Sequence, residues 1–192
     1  KLAILQHTIE RLTAAGYVYI GMDHFARPDD ELAVAQREGS LYRNFQGYST
    51  HADCDLVAMG ITAIGKVGDS YSQNVKTLDE YSALLDAGRL PVFRGIVLSA
   101  DDKLRRAVIT QLICHFELNY ARIEQAFNVR FRDYFAFELK EFEAMQADGL
   151  LELGTQSMVV RPAGKLLIRN ICMVFDKYLR TRKERATYSK VI

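Results

Sequence analysis

Two stretches carry side chains able to do chemistry. Asp23-His24 follows the β-branched and aromatic run Tyr17-Val18-Tyr19-Ile20, and parallel α/β folds gather active sites in the loops after their strands. An imidazole beside a carboxylate serves catalysis or substrate contact, or is a local hydrogen-bonding pair. Arg43-Asn44-Phe45-Gln46-Gly47-Tyr48-Ser49-Thr50 crowds hydrogen-bonding groups and aromatics around one glycine. Phe45 could stack on a planar ring, Gln46 could bond a polar edge, and Gly47 would admit a ligand to the backbone. The same composition also suits a polar turn.

Other motifs carry less. Gly60-Ile61-Thr62-Ala63-Ile64-Gly65-Lys66 fits the spacing of a phosphate-binding loop, but Val67 stands where a hydroxyl must hold magnesium. Its β-branched interior reads as a strand. Cys54, Cys114 and Cys172 lie about sixty residues apart, which matches neither a disulfide framework nor clustered metal ligands and points to the reducing cytosol. His7, His51 and His115 have no metal-ligand spacing, so no metal site is expected within this chain.

These residues need a scaffold, and the composition supplies one. The chain has 192 residues, 49% apolar and 26% charged, with a formal net charge of +1. It should fold, without the global charge that would draw it to nucleic acid or an anionic membrane. No stretch is long and apolar enough for a membrane span, and no signal core opens the chain. It begins at Lys1, inside an amphipathic segment with Leu2, Leu5, Ile9 and Leu12 on one face, and reads as a piece of something longer.

Up to about Leu98 the pattern alternates: a helix closed by Gly16, the strand at Tyr17–Ile20, a helix opened by Pro28-Asp29-Asp30-Glu31 and stopping near Gly39, an extended return over Leu41–Tyr48, a strand within Met59–Val67, and a helix capped by Thr77 and closed by Gly88. Such alternation predicts parallel strands covered by helices. Beyond it, a Ser99–Asp102 capping box opens a long helix, Asn119 caps a second, and a third runs from about Asp133 to Ala147. A hairpin over Leu150–Val160 and a last helix from Pro162 complete a winged-helix-like module. The expected fold class is therefore α/β, a partial (β/α) barrel over residues 1–98, followed by a winged-helix-like α+β domain over residues 99–192.

A winged helix invites a DNA-binding reading, and Arg180, Arg182, Lys183 and Arg185 form a small basic run. The third helix argues against it, because Glu138, Glu141 and Glu143 face only Lys140 and would repel phosphate.

Tyr19-Ile20-Gly21-Met22-Asp23-His24-Phe25-Ala26, Asn44-Phe45-Gln46-Gly47-Tyr48, Ala63-Ile64, Arg94-Gly95, Asp101-Asp102, Arg105-Arg106 and the closing Tyr188-Ser189-Lys190-Val191-Ile192 are ordered along the chain. Together they resemble the oxygen-independent coproporphyrinogen III oxidase family of radical S-adenosylmethionine enzymes. The resemblance implies a cytoplasmic enzyme of heme biosynthesis. In that family a [4Fe-4S] cluster cleaves S-adenosylmethionine, and the resulting radical takes hydrogen from a substrate propionate. Loss of carbon dioxide and one electron leaves a vinyl group; two propionates of coproporphyrinogen III react in turn, and an electron donor reduces the cluster. The family's cluster motif, Cys-x3-Cys-x2-Cys, is absent here, and a whole barrel needs about 250 residues. The resemblance thus implies a C-terminal portion, inactive alone, that pairs with a missing N-terminal half and self-associates without it.

By position, Phe45, Gln46, Ala63 and Ile64 match the family's S-adenosylmethionine pocket. A substrate with four carboxylates requires cations, for which Arg43, Arg94, Arg105 and Arg106 are candidates, with Asp23 and His24 as further substrate contacts. No catalytic residue is assigned in this chain, and the C-terminal module reads as a lid. The competing readings are a heme-handling relative without oxidase activity and a winged-helix binding module.

Overall fold

The computed structural model describes residues 2–181. Helix α1 (Leu2–Ala14) ends where Gly16 takes φ +87° and the Tyr17 amide returns to the Leu12 carbonyl at 3.0 Å. Strands β1 (Val18–Gly21) and β2 (His24–Ala26) form a hairpin. Asp30 caps α2 (Glu31–Glu38) by accepting the Leu32 amide, and Gly39 closes it in the left-handed conformation. A second hairpin joins β3 (Tyr42–Arg43) to β4 (Tyr48–Ser49). Strands β5 (Ile64–Val67), β6 (Ser70–Asn74) and β7 (Val92–Val97) make a sheet in chain order, with α3 (Leu78–Asp86) between β6 and β7.

The predicted parallel sheet of a partial barrel is not formed: every strand pair among the described residues is antiparallel. The cause is loop length. Only Gly68-Asp69 separates β5 from β6, and so short a connection permits a hairpin alone, whereas parallel neighbours need a crossover of about a dozen residues. Helix α3 has no buried residue, so it is not a covering helix of a βαβ unit.

The second half is built around α4 (Ala100–His115), opened by the predicted capping box between Ser99 and Asp102. Strand β8 (Glu117–Asn119) follows, and Asn119 caps α5 (Tyr120–Phe127). Helices α6 (Phe131–Tyr134) and α7 (Ala136–Ala147) come next, then β9 (Leu151–Leu153), β10 (Ser157–Val160), α8 (Pro162–Leu166), α9 (Ile168–Val174) and α10 (Lys177–Thr181). The sheet order is β8-β10-β9, so the predicted hairpin gains a third strand. The single third helix predicted from Asp133 is instead two, broken at Phe135, whose ring is fully buried. The single last helix is three, broken at Leu167 and again at Phe175-Asp176. At Phe135 and Phe175 seating a large side chain in the core outweighs helix continuity. Phe131, Phe135, Phe142 and Phe175 fill that core with Leu112 and Met158. Of the basic run only Arg180 lies within the described residues; Arg182, Lys183, Arg185 and Tyr188–Ile192 lie outside them.

The first half grips the C-terminal end of α4. A smaller core of Ile20, Ala26, Ala33, Ala35 and Leu41 includes Cys114 of that helix. Tyr48 donates its hydroxyl to the Ile113 carbonyl at 2.9 Å, and Gln36 Nε2 donates to the carbonyls of Cys114 at 2.8 Å and Ile20 at 2.7 Å. Gly21, at φ +145°, lies against the Tyr48 hydroxyl, where a Cβ would overlap it. Gly21→Ala should therefore lose the Tyr48 bond and add backbone strain, costing about 2 kcal/mol in urea unfolding. Tyr48→Phe, which removes the hydroxyl alone, should cost about 1 kcal/mol.

Candidate functional site

A cleft of about 990 Å³ opens between α4, the β3–β4 turn, the β5–β6–β7 sheet and the ends of α9 and α10. Arg43, Phe45, Ile64, Arg94, Arg105 and Arg106 lie on its wall, drawn from four separate elements. Phe45 is 57% exposed and sets its ring edge-on to Tyr71 at 5.2 Å. Arg106 reaches the Tyr71 hydroxyl at 3.4 Å, with its guanidinium 6.0 Å from that ring. Arg94 Nε donates to Gln73 Oε1 at 2.9 Å, across the β6–β7 pair. Arg43 lies 4.9 Å over the Tyr48 ring, and its Nη1 is buried with no hydrogen-bond partner.

The other expected site residues lie off the wall. The Gln46 amide donates to Asn44 Oδ1 at 2.8 Å, within the turn. The Ala63 carbonyl accepts the Asn74 amide at 2.9 Å, so its backbone is already engaged. Asp23 and His24 pair at 2.7 Å in the β1–β2 turn. His24 stands edge-on to Tyr48 at 5.1 Å and covers Gly47, so the opening over that glycine is filled by the chain's own imidazole. Asp23 borders a separate hollow beside Ile4, Leu5 and Phe25.

The cysteines do not make a metal site. Cys54 is exposed, whereas Cys114 and Cys172 are buried, and burial pushes both thiols up to about 12. No cluster of three or more His, Cys, Asp or Glu side chains suited to a metal occurs among the described residues. The residues present therefore do not fit an iron–sulfur cluster, which needs thiolates.

Residues 98–167 match the family model described as the HemN C-terminal domain. The chain carries a HemN C-terminal domain. Over all 192 residues it is 53% identical to the oxygen-independent coproporphyrinogen III oxidases of Pseudomonas aeruginosa and of Escherichia coli K12, covering 42% of each. It is 48% identical, over 196 aligned positions, to the protein of that name from Synechocystis. A solved structure, described as coproporphyrinogen III oxidase (HemN) from Escherichia coli, a radical SAM enzyme, superposes with a TM-score of 0.89 at 55% identity, covering 93% of this chain and 41% of that one. The chain thus spans about two fifths of the length of the relatives it matches.

Sequence reasoning missed the ion-pair network that braces this HemN C-terminal domain and forms one end of the cleft. Arg105, although on the cleft wall, is engaged by acids of its own chain. Its Nε donates to Asp101 at 2.9 Å, its Nη1 to buried Glu138 at 2.7 Å and to the Phe175 carbonyl at 2.9 Å. Arg180 reaches the same Glu138 oxygen at 2.6 Å, and Lys177 bridges Asp101 at 2.6 Å and Asp102 at 2.8 Å. Glu138, read from the sequence as a surface charge opposing DNA, is 2% exposed; Glu141 and Glu143 do face solvent. The missed signal is spacing: a carboxylate three residues past the phenylalanine that breaks the helix points inward with it.

Burial alone would raise the carboxyls of Asp101 and Asp102, but hydrogen bonds outweigh it. Lys177, Tyr134 and Arg105 hold Asp101 below the usual carboxylate range, and Lys177 with Ser99 holds Asp102 lower still. Unfolded aspartate titrates near ~3.9, so on acidification the unfolded chain takes up protons first. The contribution is complete above that value and drains away as pH falls toward the folded values. Urea unfolding measured from pH 6 to 2 should show a shallower acid loss in Lys177→Met than in the wild type; identical acid slopes would contradict the assignment. Glu138→Gln removes the buried anion that Arg105 and Arg180 share, leaving Asp101 alone to Arg105, and should cost about 3 kcal/mol. The exposed Glu143→Gln should stay within about 0.5 kcal/mol in the same assay.

Proposed function

We propose that this chain is the C-terminal portion of an oxygen-independent coproporphyrinogen III oxidase and supplies one wall of its substrate and cofactor chamber. The observation that carries this reading is end-to-end similarity: 53% identity over the full 192 residues to proteins of that name. Residues 1–98 would adjoin a barrel contributed by the rest of the enzyme. Residues 99–192 would act as a winged-helix-like lid, a reading supported by the three-stranded β8-β10-β9 sheet packed with helices. A cytoplasmic enzyme is the expectation, and no helix among the described residues is long and apolar enough to cross a membrane.

In such an enzyme S-adenosylmethionine supplies the radical that removes a hydrogen atom from each reacting propionate. This chain's own part is binding and exclusion of water. Phe45 and Ile64 present an aromatic face and an apolar strand end to the cleft, where a purine or pyrrole ring can pack. Gln46, Ala63, Asp23 and His24 would act from the turns behind that wall. The α9–α10 end closes the chamber, and a closed, dry chamber protects a radical from quenching. The cluster would belong to the missing portion, and an electron donor would be a separate partner. Without it the chain would present β7, exposed along its whole length, with Phe93 and Val97 open to solvent, an invitation to self-association.

A chimera tests the reading. The segment of the Escherichia coli relative that this chain matches is replaced by residues 1–192, and conversion of coproporphyrinogen III to protoporphyrinogen IX is followed under anaerobic conditions. Turnover within about tenfold of the parent is expected. A folded, iron-loaded chimera that binds S-adenosylmethionine yet makes no vinyl product would overturn the assignment.

A further inference from the structure

The cleft wall carries an imbalance of charge. Arg43, Lys66, Arg94, Arg106 and Arg169 all line it, and none has a carboxylate partner among the described residues. The two acids on the same wall are occupied. Asp102 holds Lys177 and the Ser99 amide, while Asp176 accepts the Tyr178 amide at 2.9 Å. Cations left unpaired in a concave apolar setting focus positive potential into it.

Three of the five are placed to act together. Arg43 Nη1 is buried without an acceptor, and a charged donor left unsatisfied is costly unless a ligand completes it. Arg106 contacts only a tyrosine hydroxyl at 3.4 Å, the outer limit of a hydrogen bond. Arg169, on α9 across from α4, makes no hydrogen bond or ion pair among the described residues. The same wall includes apolar side chains, Ile109 and Ile113 of α4 with Ile64, Ile96 and Leu98. A broad apolar surface ringed by unpaired guanidiniums suits a flat hydrophobic ligand carrying several carboxylates.

We infer that Arg43, Arg106 and Arg169 are the carboxylate clamps of this cleft, and that the neighbouring Arg105 is not one. The inference rests on the proposed function, because it takes the relatives' substrate class as the ligand. Two sources of carboxylate are possible in such an enzyme, the propionates of a tetrapyrrole and the amino-acid end of S-adenosylmethionine.

The purified 192-residue chain is titrated with coproporphyrin III, with its uncharged tetramethyl ester, and with S-adenosylmethionine. Wild type is compared with Arg43→Gln, Arg106→Gln and Arg169→Gln, and with Arg43→Lys, which keeps the charge beside Tyr48. Thermal melting shows that each variant is folded. The tetra-acid should bind at least tenfold more tightly than the ester, and each glutamine variant should weaken the acid by about ten- to a hundredfold while leaving the ester unchanged. The same losses confined to S-adenosylmethionine would uphold the clamps and assign them to the cofactor's carboxylate. Changes below twofold for both ligands in the folded Arg106→Gln and Arg169→Gln variants overturn the inference, as does failure of the chain to bind either ligand. Neither result alters the chimera's turnover, which judges the proposed function separately.

Discussion

The last carbonyls of an α-helix have no partner within it, and α4 ends inside the protein rather than in water. The whole arrangement depends on how that end is satisfied. Phe116 takes the left-handed conformation at φ 58° and returns its amide to Leu112 at 2.9 Å, while the Ile113 and Cys114 carbonyls receive Tyr48 and Gln36. A buried carbonyl without a donor costs on the order of 1–3 kcal/mol, so these bonds secure the β1–β2 and β3–β4 hairpins against the helix. Docking those hairpins in turn places Arg43 and Phe45 beside Arg106. The cleft is therefore a consequence of capping one helix with side chains distant in sequence.

Adjacent arginines on that helix have opposite fates because successive residues are rotated by about 100°. Arg105 turns toward Glu138 and the aromatic core, where its guanidinium also lies 5.3 Å from the Phe135 ring. Arg106 turns to the cleft. A buried arginine–glutamate pair adds little net stability over an apolar pair of the same shape, but losing one partner is expensive. Its effect here is positional: through Glu138 and Arg180 it ties α7 and α10 to α4, so the end wall of the cleft is held by charge as well as by packing.

Local signals in the sequence were legible wherever structure is decided locally. The caps at Thr77, Ser99 and Asn119 and the helix-closing glycines 16 and 39 appear as read. The Leu150–Val160 hairpin also forms, because its turn chemistry and alternation sit in one short stretch. Strand direction was not legible: Ser70-Tyr71-Ser72-Gln73-Asn74 is polar and was passed over, and without β6 the flanking elements imitate a βαβ unit. The breaks at Phe135 and Phe175 were hidden because helix periodicity continues through them, and only the three-dimensional core decides which residue must turn inward. For the cleft wall, Phe45 stood out among clustered hydrogen-bonding groups and Ile64 through resemblance, whereas Arg169 carries no local signal at all. Nothing in the dipeptide Arg105-Arg106 says which guanidinium meets an acid 33 residues away.

A protein that keeps several cations unpaired in one cleft bears their mutual repulsion in every folded molecule. Nearby acids could have relieved it, yet Asp101, Asp102 and Asp176 are each engaged by the chain's own donors. The stability that tolerates this comes from elsewhere, from the phenylalanine-rich core packed against α4. Separating the two faces of one helix lets the apolar side specify the fold while the polar side remains electrostatically unsatisfied. An incoming anion then gains the full attraction of groups that have no internal competitor, which is the condition for strong binding by preorganised charge.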